Sequence, residues 1–173
     1  MTIMKILTYP DPFLTKTAQP VETIDDAIQE IIENMADTMY EAPGVGLAAI
    51  QTGIDKRIIV YDPSADPVKR EFGVVINPEI IETEGETISE NEGCLSVPEY
   101  RSNVGRCRRV TIRGLDRFGN PVEFCAEDFP SVILQHEIDH LNGILFIDRI
   151  SMIKRNLYKS RIKKAIKKGE LSV

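Results

Sequence analysis

Residues 136–140 read HEIDH, an HExxH pattern that contains both histidines of the chain. On an α-helix, side chains four residues apart lie on the same face, so both imidazoles can bind one metal ion while Glu137 lies beside its open side. The pattern is short enough to occur by chance on a surface helix. The apolar run at 132–134 instead indicates a core helix, where buried imidazoles need partners.

A catalytic metal of this kind needs a third protein ligand, which leaves the fourth position for water. One class of HExxH peptidases adds a histidine six residues further on, where this chain has Phe146. Another class uses a downstream glutamate, and the only one here is Glu170, in the tail. The ligand is therefore expected upstream, as Cys, Asp or Glu. Cys94 in EGCLSVP is the best candidate, because Gly93 allows close backbone approach and a thiolate with two imidazoles suits Zn²⁺ or Fe²⁺.

A third segment, GVGLAAIQ at 44–51, combines small residues with an amide side chain. The segment follows a predicted helix rather than a strand, which argues against a dinucleotide-binding loop. Its small residues favour a backbone that passes close to a ligand or a neighbouring helix. Gln51 could then donate to a developing oxyanion. The alternative is a tight helix exit with an incidental glutamine.

The chain has 173 residues, 42% apolar and 28% charged, which is typical of one globular domain. No apolar run is long enough to cross a bilayer, and the first residues resemble no targeting signal, so we expect a soluble cytoplasmic protein with no membrane partner. The three cysteines show no CxxC spacing and are expected to be reduced. Cys107 and Cys125 lie in strand patterns and are predicted to be core thiols.

The elements around these motifs predict an α+β fold, with antiparallel β-sheets packed around a central helix that carries HExxH and with an N-terminal and a C-terminal helix. Apolar periodicity and capping residues predict helices over 24–42, 128–143 and 151–168, with Asp25 or Thr23, Asp128 and Ser151 as caps. The last helix is expected to bury a stripe of Ile153, Leu157, Ile162 and Ile166. Short strands are predicted at 57–61, 73–78, 79–90, 109–116 and 121–127.

The motifs GVGLAAIQ, EGCLSVP and QHEIDHLNG, in that order, resemble those of the peptide deformylase family, and the resemblance covers nearly the whole chain. It implies removal of the N-formyl group from the N-terminal methionine of new polypeptides, with Fe²⁺ as the active metal and Zn²⁺ or Ni²⁺ as substitutes. The site residues that it implies are the ligands Cys94, His136 and His140, the general base and acid Glu137, the oxyanion donors Gln51 and Leu95 N–H, and a peptide cleft at Val45, Gly46, Gly93, Val132 and Ile133.

The net charge of −6 is unevenly distributed, since residues 154–173 hold eight Lys or Arg and one acid. We expect residues 1–153 to form a single catalytic domain, to which the basic helix at 154–173 belongs. That helix could be a solvated amphipathic helix or could dock on ribosomal RNA, as some members of the family do. Its deletion is expected to spare turnover of a short formyl peptide. A monomer is expected.

Two other classes of protein remain open from the residues alone. The first is a metallopeptidase that cuts internal peptide bonds and uses another third metal ligand. Its Cys94→Ala variant would keep both its metal and its activity. A non-catalytic metal-stabilised or RNA-binding module would tolerate Glu137→Gln. Asp139 is expected to support a neighbouring residue, the alternative being a solvated carboxylate.

Overall fold

The computed structural model describes residues 2–64, 66 and 68–171. Within them the chain forms three α-helices and one five-stranded antiparallel sheet in the order β1-β2-β3-β4-β5, which confirms the α+β prediction. The helices are α1 (Asp26–Glu41), α2 (Phe129–Leu141) and α3 (Met152–Lys167). The strands are β1 (Gly46–Ala48), β2 (Ile58–Tyr61), β3 (Gly73–Cys94), β4 (Val97–Leu115) and β5 (Pro121–Glu127).

Helix α2 lies at the centre of the fold and contacts all five strands. Residues 133–141 are buried without a break, so the helix is core on every side along the HExxH segment. The helix ends before Gly143, whose φ of +72° and close approach to the carbonyl oxygen of Thr15 both require glycine. The predicted cap was wrong in detail: Asp128 precedes the helix, but its carboxylate makes no capping bond and instead accepts from Arg108.

Helix α1 begins as predicted, because the Asp25 carboxylate accepts a hydrogen bond from the backbone N–H of Ile28 at 3.0 Å. Its buried face packs against β2 and the first residues of β3. Pro43 and Gly44 follow it, and the chain then turns into β1. The short β1 therefore lies between α1 and α2, where its small residues are fully buried.

The predicted strands at 73–78 and 79–90 are one continuous strand, β3, and the predicted strand at 109–116 is the end of a longer one, β4. The two form a long hairpin whose register shifts at several points, including one beside Pro78. Proline lacks the N–H that a regular ladder needs and fits at such an irregularity. The sequence pattern predicted a strand boundary at Pro78, but β3 continues past this residue because it pairs with β4 on both sides.

Two burial predictions were only partly right. In α3 the predicted Ile162 is buried and Ile166 packs against the same cluster, whereas Ile153 and Leu157 are 74% and 67% exposed. Tyr158, which was not predicted, is buried instead in the first half of the helix. Cys125 lies in β5 as predicted but on its exposed face, and Cys107 is only half-buried. None of the helices in the described part of the chain is long and apolar enough to span a membrane.

Candidate metal centre and cleft

Cys94, at the end of β3, meets His136 and His140, one turn apart on α2. The Cys94 Sγ lies 3.1 Å from His140 Nε2, and the two imidazole Nε2 atoms lie 3.2 Å apart. A tetrahedral metal with ligand bonds of about 2.0–2.3 Å has ligand–ligand edges of about 3.3–3.6 Å. Three donor atoms that converge at nearly this spacing fit a metal ion with a fourth, open position. The thiolate and imidazole set suits Fe²⁺ or Zn²⁺ and disfavours Mg²⁺ and Ca²⁺.

A buried charge network holds the first histidine. His136 Nδ1 contacts Glu92 Oε1 at 2.7 Å, and Glu92 in turn pairs with the Arg106 guanidinium. Arg106 also donates to Asp139 at 2.7 Å, and Arg149 pairs with the same carboxylate. Burial raises the pKa of Glu92, but hydrogen bonds from His136 and Arg106 outweigh it and lower that pKa to about 2. A carboxylate on the far nitrogen fixes the ring orientation of a metal-binding histidine.

Glu137 lies beside the cluster in a buried position that raises its pKa to about 7. Among the described residues its buried Oε2 has no hydrogen-bond partner, and Glu137 is one of the residues that line the cleft. Gly46 leaves the space for it: a Cβ on that glycine would lie 2.5 Å from Glu137 Oε1. A carboxylate poised near neutral pH is suited to accept a proton and then release it.

Gln51 has a fixed amide orientation. Its Oε1 accepts from the backbone N–H of Ala48 at 2.8 Å, so its Nε2 points to the Ser96 hydroxyl at 3.1 Å and lies 3.7 Å from Cys94 Sγ. Leu95 follows Cys94 in the turn between β3 and β4. The arrangement places an amide donor next to one of the candidate metal ligands. There it could stabilise the negative charge that develops on a substrate oxygen during hydrolysis.

These groups open into a cleft of about 740 Å³. It is lined by all the sequence-predicted site residues except His140, which is buried beneath it: Val45, Gly46, Gln51, Gly93, Cys94, Leu95, Val132, Ile133, His136 and Glu137. Sequence reasoning missed the lining residues Tyr100, Arg101 and Phe129. It also missed Glu92, although the sequence held a signal for this residue. Glu92 stands two positions before Cys94, and residues two apart on a strand share a face.

The fold and this site define a metal-dependent hydrolase, with a Cys/His/His cluster that could hold the metal and a buried glutamate in an open cleft. The model of one family, polypeptide deformylase, matches residues 3–156. The chain is 49% identical over 169 residues to a peptide deformylase of Desulfosudis oleivorans, and the match covers 98% of each chain. The chain belongs to the polypeptide deformylase family, whose members are metal-dependent and remove the N-formyl group from nascent peptides.

Solved structures agree with this assignment. The crystal structure of a peptide deformylase from Legionella pneumophila matches with a TM-score of 0.89 and 46% identity over 99% of this chain and 100% of that one. A peptide deformylase from Acinetobacter baumannii, crystallised with Met-Ala-Ser bound, matches with a TM-score of 0.79 and 37% identity over 86% of this chain and 99% of that one.

Proposed function

We propose that this chain hydrolyses the formamide bond of N-formylmethionyl peptides at the Cys94/His136/His140 centre, with Fe²⁺ as its metal. The observation that carries the proposal is the convergence of three donor atoms beside the buried, unpartnered oxygen of Glu137. When bound there, a divalent cation supplies Lewis acidity that makes water a strong nucleophile near neutral pH. Zn²⁺ or Ni²⁺ would fit the same ligands.

The proposed proton transfers belong to Glu137. Water adds to the formyl carbon as Glu137 takes its proton, and the C–N bond then breaks as Glu137 returns that proton to the leaving amine. The products are formate and a free N-terminal amine. The raised pKa of this carboxyl group matches both roles, because the group must hold a proton between the two steps.

The proposed oxyanion donors are the Gln51 side-chain amide and the Leu95 backbone N–H. The Ala48 N–H occupies the Gln51 carbonyl oxygen, so the amide nitrogen faces the site without a reorientation. One such donor typically contributes about 3–4 kcal/mol to transition-state stabilisation. The methionine side chain is proposed to enter between Val45 and the α2 residues Val132 and Ile133, with the peptide extended along Gly46 and Gly93.

The test is release of formate from formyl-Met-Ala by iron-loaded protein kept free of oxygen. Wild type is expected to turn over, while Glu137→Gln should lose at least about 100-fold in kcat with its metal retained. A matched control is Glu30→Gln, which makes the same change at an exposed position of α1 and should keep wild-type turnover. Cleavage of unformylated peptides without formate release would favour an internal peptidase instead.

For the tail, we propose that α3 docks on ribosomal RNA through its exposed basic residues. Lys163, Lys164 and Lys167 are exposed at the C-terminal end of the helix, and neutralised phosphates give a strongly salt-dependent affinity. Changing these three lysines together to glutamine should weaken ribosome binding. A control with the exposed lysines Lys5, Lys16 and Lys69 changed to glutamine removes the same charge elsewhere, and equal weakening by both would contradict the proposal.

Substitution is a better test than deletion of residues 154–173. Tyr158 and Ile162 are buried in a cluster with Phe146, so deletion would also expose part of the core. This packing supports the proposal that residues 1–153 and 154–173 form one domain. The expectation that the deletion spares turnover stays a prediction, as do the monomeric state and the cytoplasmic location.

A further inference from the structure

Strand β4 bulges where it faces the cleft. Glu92 pairs with Ser102 and Cys94 with Val97, so the single residue Gly93 on β3 opposes residues 98–101 on β4. Within this bulge, Glu99 has a φ of +58°, which is unfavourable for a residue with a side chain. Residues 99–101 all line the cleft. Bulges beside functional sites re-aim side chains, and they persist when their surroundings hold them.

Helix α3 contacts this bulge at two successive residues. The ring of Tyr158 lies 4.7 Å, centroid to centroid, from the ring of Tyr100. The Arg161 guanidinium donates to the carbonyl oxygen of Glu99 at 3.4 Å. Tyr158 is 2% exposed and well anchored in its own cluster. The helix therefore packs directly against the bulge.

The same aromatic contacts continue toward the metal centre. Tyr100 stacks on Phe146, with centroids 6.0 Å apart and planes at 22°, and Phe146 stacks on His136 at 6.2 Å and 25°. The bulge is thus packed between α3 and the chain segment that covers His136. A change in α3 would reach Tyr100 directly and His136 only through Phe146.

We propose that α3 positions the β4 bulge for binding of the peptide beyond its N-terminal methionine, with Tyr158 and Arg161 as positioning residues. This inference rests on the proposed deformylase function. The proposed methionine pocket is made by Val45 and by α2, whereas residues 99–101 line the cleft from β4. Loss of the support should therefore affect residues after the methionine more than the methionine itself.

The test compares formylmethioninamide with formyl-Met-Ala-Ser as substrates of metal-loaded Tyr158→Leu. Leucine keeps the buried position apolar but loses the aromatic pair with Tyr100, and such a pair typically changes an equilibrium by about 2- to 10-fold. We expect KM for the longer peptide to rise by that factor, with kcat and metal content unchanged, while KM for the amide stays constant. Arg161→Met, which keeps the aliphatic stem, should act in the same direction.

The matched control is Tyr158→Phe, which keeps the ring and removes a hydroxyl that has no hydrogen-bond partner among the described residues. It should leave both KM values unchanged. Equal KM changes for both substrates, or a lower Tm of Tyr158→Leu with an unchanged KM ratio, would overturn the inference and leave α3 a purely structural element. Absence of formate release from wild type with either substrate would instead overturn the proposed function.

Discussion

Gly46→Ala tests how the fold positions the proposed general base. The added Cβ would lie 2.5 Å from Glu137 Oε1 and 2.9 Å from both Cδ and Cγ of the same side chain. Separations under 3.0 Å are not tolerated, so either the carboxylate rotates away or the β1 backbone shifts. Because Gly46 is buried within the β1–β2 ladder, the glutamate side chain is the part that can move.

The expected cost falls on catalysis as well as on folding. A displaced base loses the geometry for proton transfer, and a positioned acid–base group typically contributes about 10²- to 10⁴-fold. We therefore expect Gly46→Ala to lower kcat at least about 100-fold while metal content is retained. Its Tm should also fall, because the clash reaches Cγ of a buried side chain and overpacking typically costs about 1–3 kcal/mol.

The assay is formate release from formyl-Met-Ala, with metal content and thermal unfolding measured on the same preparations. Gly105→Ala is the matched control, since a Cβ there would meet no atom within 4 Å, and it should keep wild-type turnover. A Gly46→Ala variant that turns over within twofold of wild type would refute the reasoning. Loss of the metal together with activity would also refute it, because the substitution is argued to act on Glu137 alone.

Three further predictions concern the metal centre and its support. Cys94→Ala should abolish stoichiometric metal binding, measured by elemental analysis, whereas Cys107→Ala, a half-buried thiol outside the cluster, should retain it. Glu92→Gln should weaken metal affinity about 10- to 100-fold in a chelator competition, and unchanged affinity would show that the His136 contact is not needed. Arg106→Ala should lower the free energy of unfolding by about 3–5 kcal/mol in urea, because it leaves Glu92 buried without its cation and leaves Asp139 paired with Arg149 alone. Arg113→Ala, which breaks an exposed pair, should cost less than about 1 kcal/mol.

Local patterns in the sequence predicted the helices well. The Asp25 cap, the apolar period of α1 and the Pro43-Gly44 stop are all local signals in one stretch of sequence, and the structure follows them. The long β3–β4 hairpin was not predictable in the same way. Its length depends on pairing between residues far apart in the chain, and that pairing continues through Pro78, which reads locally as a break.

The site residues show the same difference between local signals and contacts that depend on the whole fold. The two histidines are four residues apart on one helix, so their convergence follows from helix geometry. The third ligand came from elimination and from the family resemblance. The support by Arg106 and Arg149 could not be anticipated, because it depends on which face of β4 and which loop lie over α2. The first half of the predicted buried face of α3 was wrong for a related reason, since Tyr158, which packs on Tyr100, is buried there in place of Ile153 and Leu157.

The most direct test of the metal centre is X-ray absorption at the zinc edge of the zinc-loaded protein. We predict one sulfur ligand at about 2.3 Å together with nitrogen or oxygen ligands at about 2.0–2.1 Å, and loss of the sulfur shell in Cys94→Ser. A first shell made of nitrogen and oxygen only, or a sulfur shell that survives in Cys94→Ser, would contradict the assignment of Cys94, His136 and His140 as the ligands.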